Sequence, residues 1–232
     1  TYTKNRHMKR KQNRAIIYLI AVTFAFFGTI GCGSKESSEE VSKAAAKAAA
    51  EESAEEFAAE VAKIEDQGDR EKVVAALKEF FVSEQLKPFF KDSYGFAIFP
   101  TIGKGGLGIG GAHGAGWIFR DRDLTGISKM TQVTIGFQAG GQAFKQIIFF
   151  ENEAAYENFT SGNFEFGAQA TAVAITAGAS ASADTAGGSS AGAGSAQTKS
   201  DYSNGMAIFT HATGGLMYEA SVGGQKFSFE EL

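Results

Sequence analysis

Few side chains in this 232-residue sequence are equipped for catalysis. There is one cysteine, Cys32, so neither an intramolecular disulfide nor a cysteine-based zinc site can form. Of three histidines, His7 lies in a basic leader, leaving His113 and His211 as candidates for a general base or a shared ligand pair. Neither has a nucleophile or carboxylate cluster beside it, so a strand-face hydrogen bond is the simpler reading of each. Arg120-Asp121-Arg122-Asp123 reads as the solvated tip of a turn. Gly103-x-Gly105-x-x-Gly108 fits the dinucleotide-binding spacing, but that chemistry needs a helix N-terminus to hold pyrophosphate. Here the following residues stay glycine-rich and β-patterned. Gly188-x-Ser190-x-Gly192 fits a nucleophile elbow, yet it sits in a Gly/Ser/Ala tract with no apolar strand before it. These residues predict a non-enzymatic chain without metal or cofactor.

The cysteine has another use. Residues 1–7 precede Met8, which reads as a natural start. Residues 9–14 form a positive stretch, and Ala15 to Gly31 is an uncharged run rich in Ile, Phe, Val and Ala. As a helix this run would span ~25 Å, short of a hydrocarbon core of about 30 Å. It fits a signal peptide better than a stable transmembrane helix. Thr29-Ile30-Gly31-Cys32 resembles a bacterial lipobox, in which the cysteine becomes acylated (palmitate-type) and N-terminal after cleavage; Thr29 stands where leucine is usual. Gly33 follows in place of the aspartate that retains such proteins at an inner membrane. The expected location is therefore the bacterial cell envelope, lipid-anchored at Cys32, at an outer membrane facing the periplasm.

Charge narrows the partners. Net charge is −4, but residues 1–31 hold six positive residues and no negative ones, which leaves 16 positive against 26 negative in the rest. An acidic body argues against nucleic acid, whose binding rests on phosphate neutralisation.

The elements follow from periodicity. Residues 35–66, dominated by Ala, Glu and Lys, predict a solvated helical tether with a thin stripe at Phe57, Val61 and Ile64 and a stop at Gly68. Asp69 reads as the N-cap of a second helix whose face is Val73, Val74, Leu77, Phe80 and Phe81, ended or kinked by Pro88. The body then reads as β. Tyr94 to Phe99 is a strand closed by Pro100, and residues 103–120 alternate a glycine face (Gly106, Gly108, Gly110, Ala112, Gly114, Gly116) with Leu107, Ile109, His113 and Trp117. Thr131 to Ala139 and Gln142 to Phe150 read as strands around a Gly140-Gly141 turn. Asn152 caps a short helix to Phe159, and Phe164 to Ala177 reads as a strand. Gly205 to His211 with Leu216 to Val222 reads as a last hairpin, and residues 226–229 as a closing strand. Residues 178–200, nearly all Ala, Gly and Ser, read as a loop or small-residue hairpin. The fold class is α+β, mostly β: a curved antiparallel sheet or barrel-like core with N-terminal helices. The organisation is a leader and signal peptide over 1–31, a tether over 32–68 and a β-rich domain over 69–232.

Certain runs carry a resemblance. Tyr94-Gly95-Phe96-Ala97-Ile98-Phe99-Pro100, Gly105-Gly106, residues 110–116 (Gly-Gly-Ala-His-Gly-Ala-Gly), residues 134–142 (Thr-Ile-Gly-Phe-Gln-Ala-Gly-Gly-Gln) and Gly214-Gly215-Leu216-Met217 are together similar to the SYLF domain family, in its bacterial lipoprotein branch. The match runs over roughly residues 70–230. The resemblance implies a non-enzymatic domain that binds membrane phospholipid; eukaryotic members bind phosphoinositides, and some bind actin, partners that an exported bacterial protein would not meet. The family's basic residues near an N-terminal helix are not reproduced. Lys104, in the glycine stretch, is the first candidate for a headgroup, joined by Lys145 and Lys226 (and by Lys87 and Lys91) if the fold gathers them, while Gly106, Gly108 and Gly110 would form a groove for acyl chains. The alternative is a structural or adaptor protein that binds another envelope protein, or itself, without a lipid ligand.

Overall fold

Two strands carry most of the fold. β1 (Gly95–Arg120) and β2 (Asp123–Phe150), of 26 and 28 residues, form one antiparallel hairpin. The computed structural model describes residues 35–167, 170, 172–175, 202–214 and 224–232, with backbone alone at 35–43, 107–109, 134–140, 142, 174 and 214. The hairpin turns at Asp121 and Arg122, both at positive φ (49° and 75°), as a two-residue turn between twisted strands requires. The Arg-Asp-Arg-Asp tip is thus where the sequence places it.

The Gly140-Gly141 turn is not. Gly105 pairs with Gly141 and Gly106 with Gly140, so both glycine pairs lie mid-ladder. Glycine marks bends and bulges as well as turns, and here it marks a bend. Pro100 does not end the first strand either. It falls in a register shift between Phe99 and Ile102, where a bulge spares the ladder the missing N–H. A second shift, between Leu107 and Ile109, lies within the glycine stretch.

The far edge of β2 is shared. β6 (Gln225–Glu231) pairs along Gly126 to Gln132, and β5 (Met206–Gly214) along Ala143 to Phe150. β3 (Phe164–Glu165) extends the sheet beyond β6, and β4 (Val173–Ile175) joins β5. Two expectations change here. Among the described residues the strand over 164–177 is two short pieces, and β4 runs parallel to β5 in an otherwise antiparallel sheet, while β5 also pairs antiparallel with β2. The 216–222 strand, the 178–200 segment and the Cys32 leader lie outside the described residues.

The hairpin curls until its base meets its tip. A Cβ on Gly95 would overlap the Phe119 carbonyl oxygen, Asp121 N donates to Tyr94 O at 3.3 Å, and the Phe96 and Phe119 rings stack at 5.1 Å. Inside the curl, Phe99, Ile102, Met130, Phe144, Ile148, Phe150 and Phe227 form one buried cluster. It is closed by Phe159 of α5 (Glu153–Phe159), whose N-cap is Asn152, accepting from Ala155 N at 3.0 Å. α5 and its cap agree with the sequence reading. Gln146 and Gln225 also meet inside, each amide donating to the other at 2.9 and 3.2 Å.

Helices cover the outside of the seam. The chain divides into units Thr1–Glu40 and Val41–Leu232, and α1 (Lys35–Glu55) runs from the first into the second. From Ala50 onward the predicted tether belongs to the core. Ala54, Phe57, Val61 and Ile64 are buried, and Phe57 packs edge-on against Phe96 and Phe119 at 5.5 and 5.6 Å. In α2 (Ala58–Val61), Glu60 accepts from Leu124 N at 2.9 Å, and Glu56 pairs with Arg122 at 3.3 Å. The reading as a wholly solvated helix is therefore corrected. The stripe looked too thin for a core, but three large apolar side chains at one end suffice when a curled sheet presents a seam. Burial of each contributes about 1.5–3 kcal/mol.

α3 (Gln67–Val82) starts earlier than expected. Its N-cap is Asp66, which accepts from Asp69 N at 2.8 Å, so Gly68 lies in its first turn rather than stopping the previous helix. Val73, Ala76, Leu77 and Phe80 are its buried face. It ends at Val82; after a short 3-10 turn, Pro88 sits at the start of α4 (Lys87–Asp92). Proline lacks an N–H that the first turn would leave unpaired anyway, so it opens a helix here rather than ending one.

Candidate functional site

The glycine face divides into two parts. At its tip end it is already filled. A Cβ on Gly114 would meet Ile102 Cγ1 at 2.8 Å, and one on Gly116 would meet the Phe99 ring at 2.5 Å. Residues 112–116 therefore seat β1 on its own beginning and leave no acyl groove there. The missing side chains allow close approach, which glycine in a strand permits, but the approaching group is the protein itself.

The other part is the bend, residues 103–111 of β1 with 133–142 of β2. Gly103, Gly105, Gly111 and Gly141 are exposed, and a Cβ on Gly103 would meet nothing within 4 Å. Val133 is 74% exposed, one of the few large apolar side chains so placed. The bend holds one charged residue, Lys104, and no acid. Lys104 is half-buried and makes no ion pair among the described residues. It pairs in register with Gln142, two positions beyond Ile102 and Phe144, so alternation places it on the concave side at the rim of the interior.

The fold keeps the other lysines away from Lys104. Lys145 lies on the helix-covered side of β2, buried, and pairs with Glu79 of α3. Lys226 is exposed on β6 beside Glu165 at 3.3 Å. Lys87 pairs with Glu84 at 2.6 Å. Of the six residues proposed for lipid contact, Lys104, Gly106, Gly108 and Gly110 share the bend; Lys145 and Lys226 do not join them. Gly110 is buried and Gly106 half-buried, so of the three glycines only the stretch around Gly106 reaches the surface among described positions.

The histidines do not pair. His113 is exposed opposite Thr131, whereas His211 stands opposite Lys145, 145 − 131 = 14 positions along β2. His211 Nδ1 lies 3.1 Å from Glu79 Oε2. No nucleophile stands with either among the contacts described. The Gly103-x-Gly105-x-x-Gly108 match lies wholly within β1, with no helix after it, as the pattern predicts. Among the described residues no three His, Cys, Asp or Glu side chains group to hold a metal, and no helix is long and apolar enough to cross a membrane.

Sequence reasoning missed Glu79. It sits beside Phe80 at the margin of the apolar face of α3, a position at which a glutamate usually faces solvent, and nothing local marks it as the partner of two strand residues more than sixty positions away. Val133 was missed too, because nothing in the local sequence marks it as exposed beside the buried Gln132.

Comparison with known proteins agrees with the motif reading. Residues 131–231 match the family described as Ysc84, Las17-binding protein actin regulator. The chain is also similar to beta cell expansion factor A of Aeromonas veronii, at 27% identity over 154 residues, 66% of this chain and 52% of that protein. The chain thus spans about half the length of this curated relative. Those matches agree with the SYLF resemblance read from the sequence: residues 131–231 are similar to the SYLF (Ysc84) family, and the wider chain to a distant relative.

Proposed function

We propose that this protein is a lipid-anchored component of a bacterial cell envelope whose SYLF domain binds phospholipid membrane through the bend of its long hairpin, without catalysis. The anchor is Cys32, after cleavage of the leader, and the membrane is the outer one, seen from the periplasm. The observation that carries the reading is the character of the bend. It is acid-free, contains Lys104, which has no ion pair among the described residues, and an exposed Val133, and includes Leu107, Ile109, Ile135 and Phe137 in its sequence. A stretch of this apolar sequence with a single cation suits the boundary between headgroups and acyl chains, where lysine keeps its ammonium in water and buries its stem. The family description names an actin regulator; the exported leader favours lipid over that partner.

The test is flotation of residues 33–232, which lack both the leader and Cys32. Co-flotation with liposomes of phosphatidylethanolamine and phosphatidylglycerol, persisting at moderate salt, is the expected result. Binding lost with salt would reduce the interaction to Lys104 alone. Absence of flotation on any liposome would refute lipid binding by the domain and favour the adaptor reading.

A further inference from the structure

A second site lies under α3, apart from the bend. Lys145 and His211 are direct cross-strand neighbours on β2 and β5. Both point at one carboxylate: Glu79 Oε1 meets Lys145 Nζ, and Glu79 Oε2 lies 3.1 Å from His211 Nδ1. The lysine and histidine side chains are 11% and 15% exposed, whereas that of Glu79 is 36% exposed. The two donors are therefore held in the sheet, and the acceptor is the more exposed member, on the helix. Its neighbours on α3, Leu77 and Phe80, are fully buried, so the side chain can swing away while the helix stays.

We infer that Lys145 and His211 form an oxyanion site, specific for a phosphate group, in which the Glu79 carboxylate is a resident surrogate that the ligand displaces. A buried lysine left without an anion is costly, so Glu79 cannot simply depart; it can be exchanged. A phosphate offers two oxygens in the same bridging arrangement and brings more negative charge to the pair, and charge-assisted hydrogen bonds of this kind are the strong ones. The site is independent of the bend, so it can fail while membrane binding by the bend stands, and the reverse.

The experiment uses the full chain in neutral detergent micelles and follows the His211 imidazole by NMR. Only three histidines are present, and His211→Gln assigns the signal. Inorganic phosphate is titrated in one arm, and phosphatidic acid is added to the micelles in the other. Glu79→Gln should shift the His211 signal saturably at a phosphate concentration at least about ten times lower than wild type needs, and Lys145→Met added to it should abolish the shift. A response in the lipid arm alone assigns a headgroup phosphate, and a response in the free-phosphate arm assigns a soluble one; either supports the site. If Glu79→Gln does not fold, Glu79→Asp, which keeps the charge on a shorter side chain, should show an intermediate gain. A folded Glu79→Gln or Glu79→Asp protein whose His211 signal responds in neither arm would overturn the proposal and leave the trio as a clamp between α3 and the sheet.

Discussion

Glycine does different work at different positions of the same strand. Gly95 lies against the Phe119 carbonyl, and no side chain fits there; at Gly103 there is open space. Gly95→Ala should cost about 1–3 kcal/mol through forced backbone shifts. Gly103→Ala should change stability by less than about 1 kcal/mol, with the sign set by lost unfolded-state entropy. Urea unfolding of both variants checks the contrast. The Gln146–Gln225 pair makes a second test at this scale. Gln146→Leu leaves a buried amide unpaired, for about 1–3 kcal/mol, while changing both residues to leucine should recover much of that loss. A double-mutant cycle reads it directly. Tyr202 gives a pH prediction. Burial first, then the carboxylates of Glu151 and Asp92, push its hydroxyl up to about 12 from 10. The folded state then holds a proton that the unfolded chain has released, so stability present below pH 10 should fall as pH rises towards 12, and Tyr202→Phe should flatten that limb in denaturant titrations. The residue scale was partly legible in the sequence. Asn152 as a cap and Asp121-Arg122 as a turn follow from local chemistry, whereas the Glu79 contacts depend on strands far along the chain.

At the scale of elements, long-range closure decided what local signals left open. Pro100, Gly140-Gly141 and Gly68 all read as breaks, and none breaks its element. Each is absorbed: by a bulge, by a bend with glycine facing glycine, and by a helix first turn. The residues 50–64 show the reverse. Locally they are a helix with a sparse apolar stripe, but Phe57 fills the seam where Phe96 meets Phe119. Phe57→Ala should therefore destabilise the whole domain by about 3–5 kcal/mol, as a core phenylalanine does. A tether that merely joined anchor to domain would lose almost nothing, and thermal unfolding of the variant separates the two.

At the scale of the molecule, the fold class and family were legible because they rest on repeated features: alternation over some fifty residues and glycine runs at fixed spacing. The site was less so. Spacing suggested a glycine groove with three lysines, but the curl fills the groove at Gly114 and Gly116 and assigns Lys145 and Lys226 to carboxylates elsewhere. The account of function rests on the bend, where Gly103, Gly105, Gly111, Val133 and Gly141 are exposed. The most direct measurement is liposome flotation of residues 33–232, which lack Cys32, compared with the same protein carrying Val133→Asp or Lys104→Glu. Val133 is exposed and Lys104 is half-buried at the rim, and both substitutions should leave the fold intact by circular dichroism. The account predicts at least a tenfold loss of membrane partitioning for Val133→Asp at moderate salt and a smaller, salt-dependent loss for Lys104→Glu. Undiminished flotation of both folded variants would contradict it and move the membrane contact away from the bend.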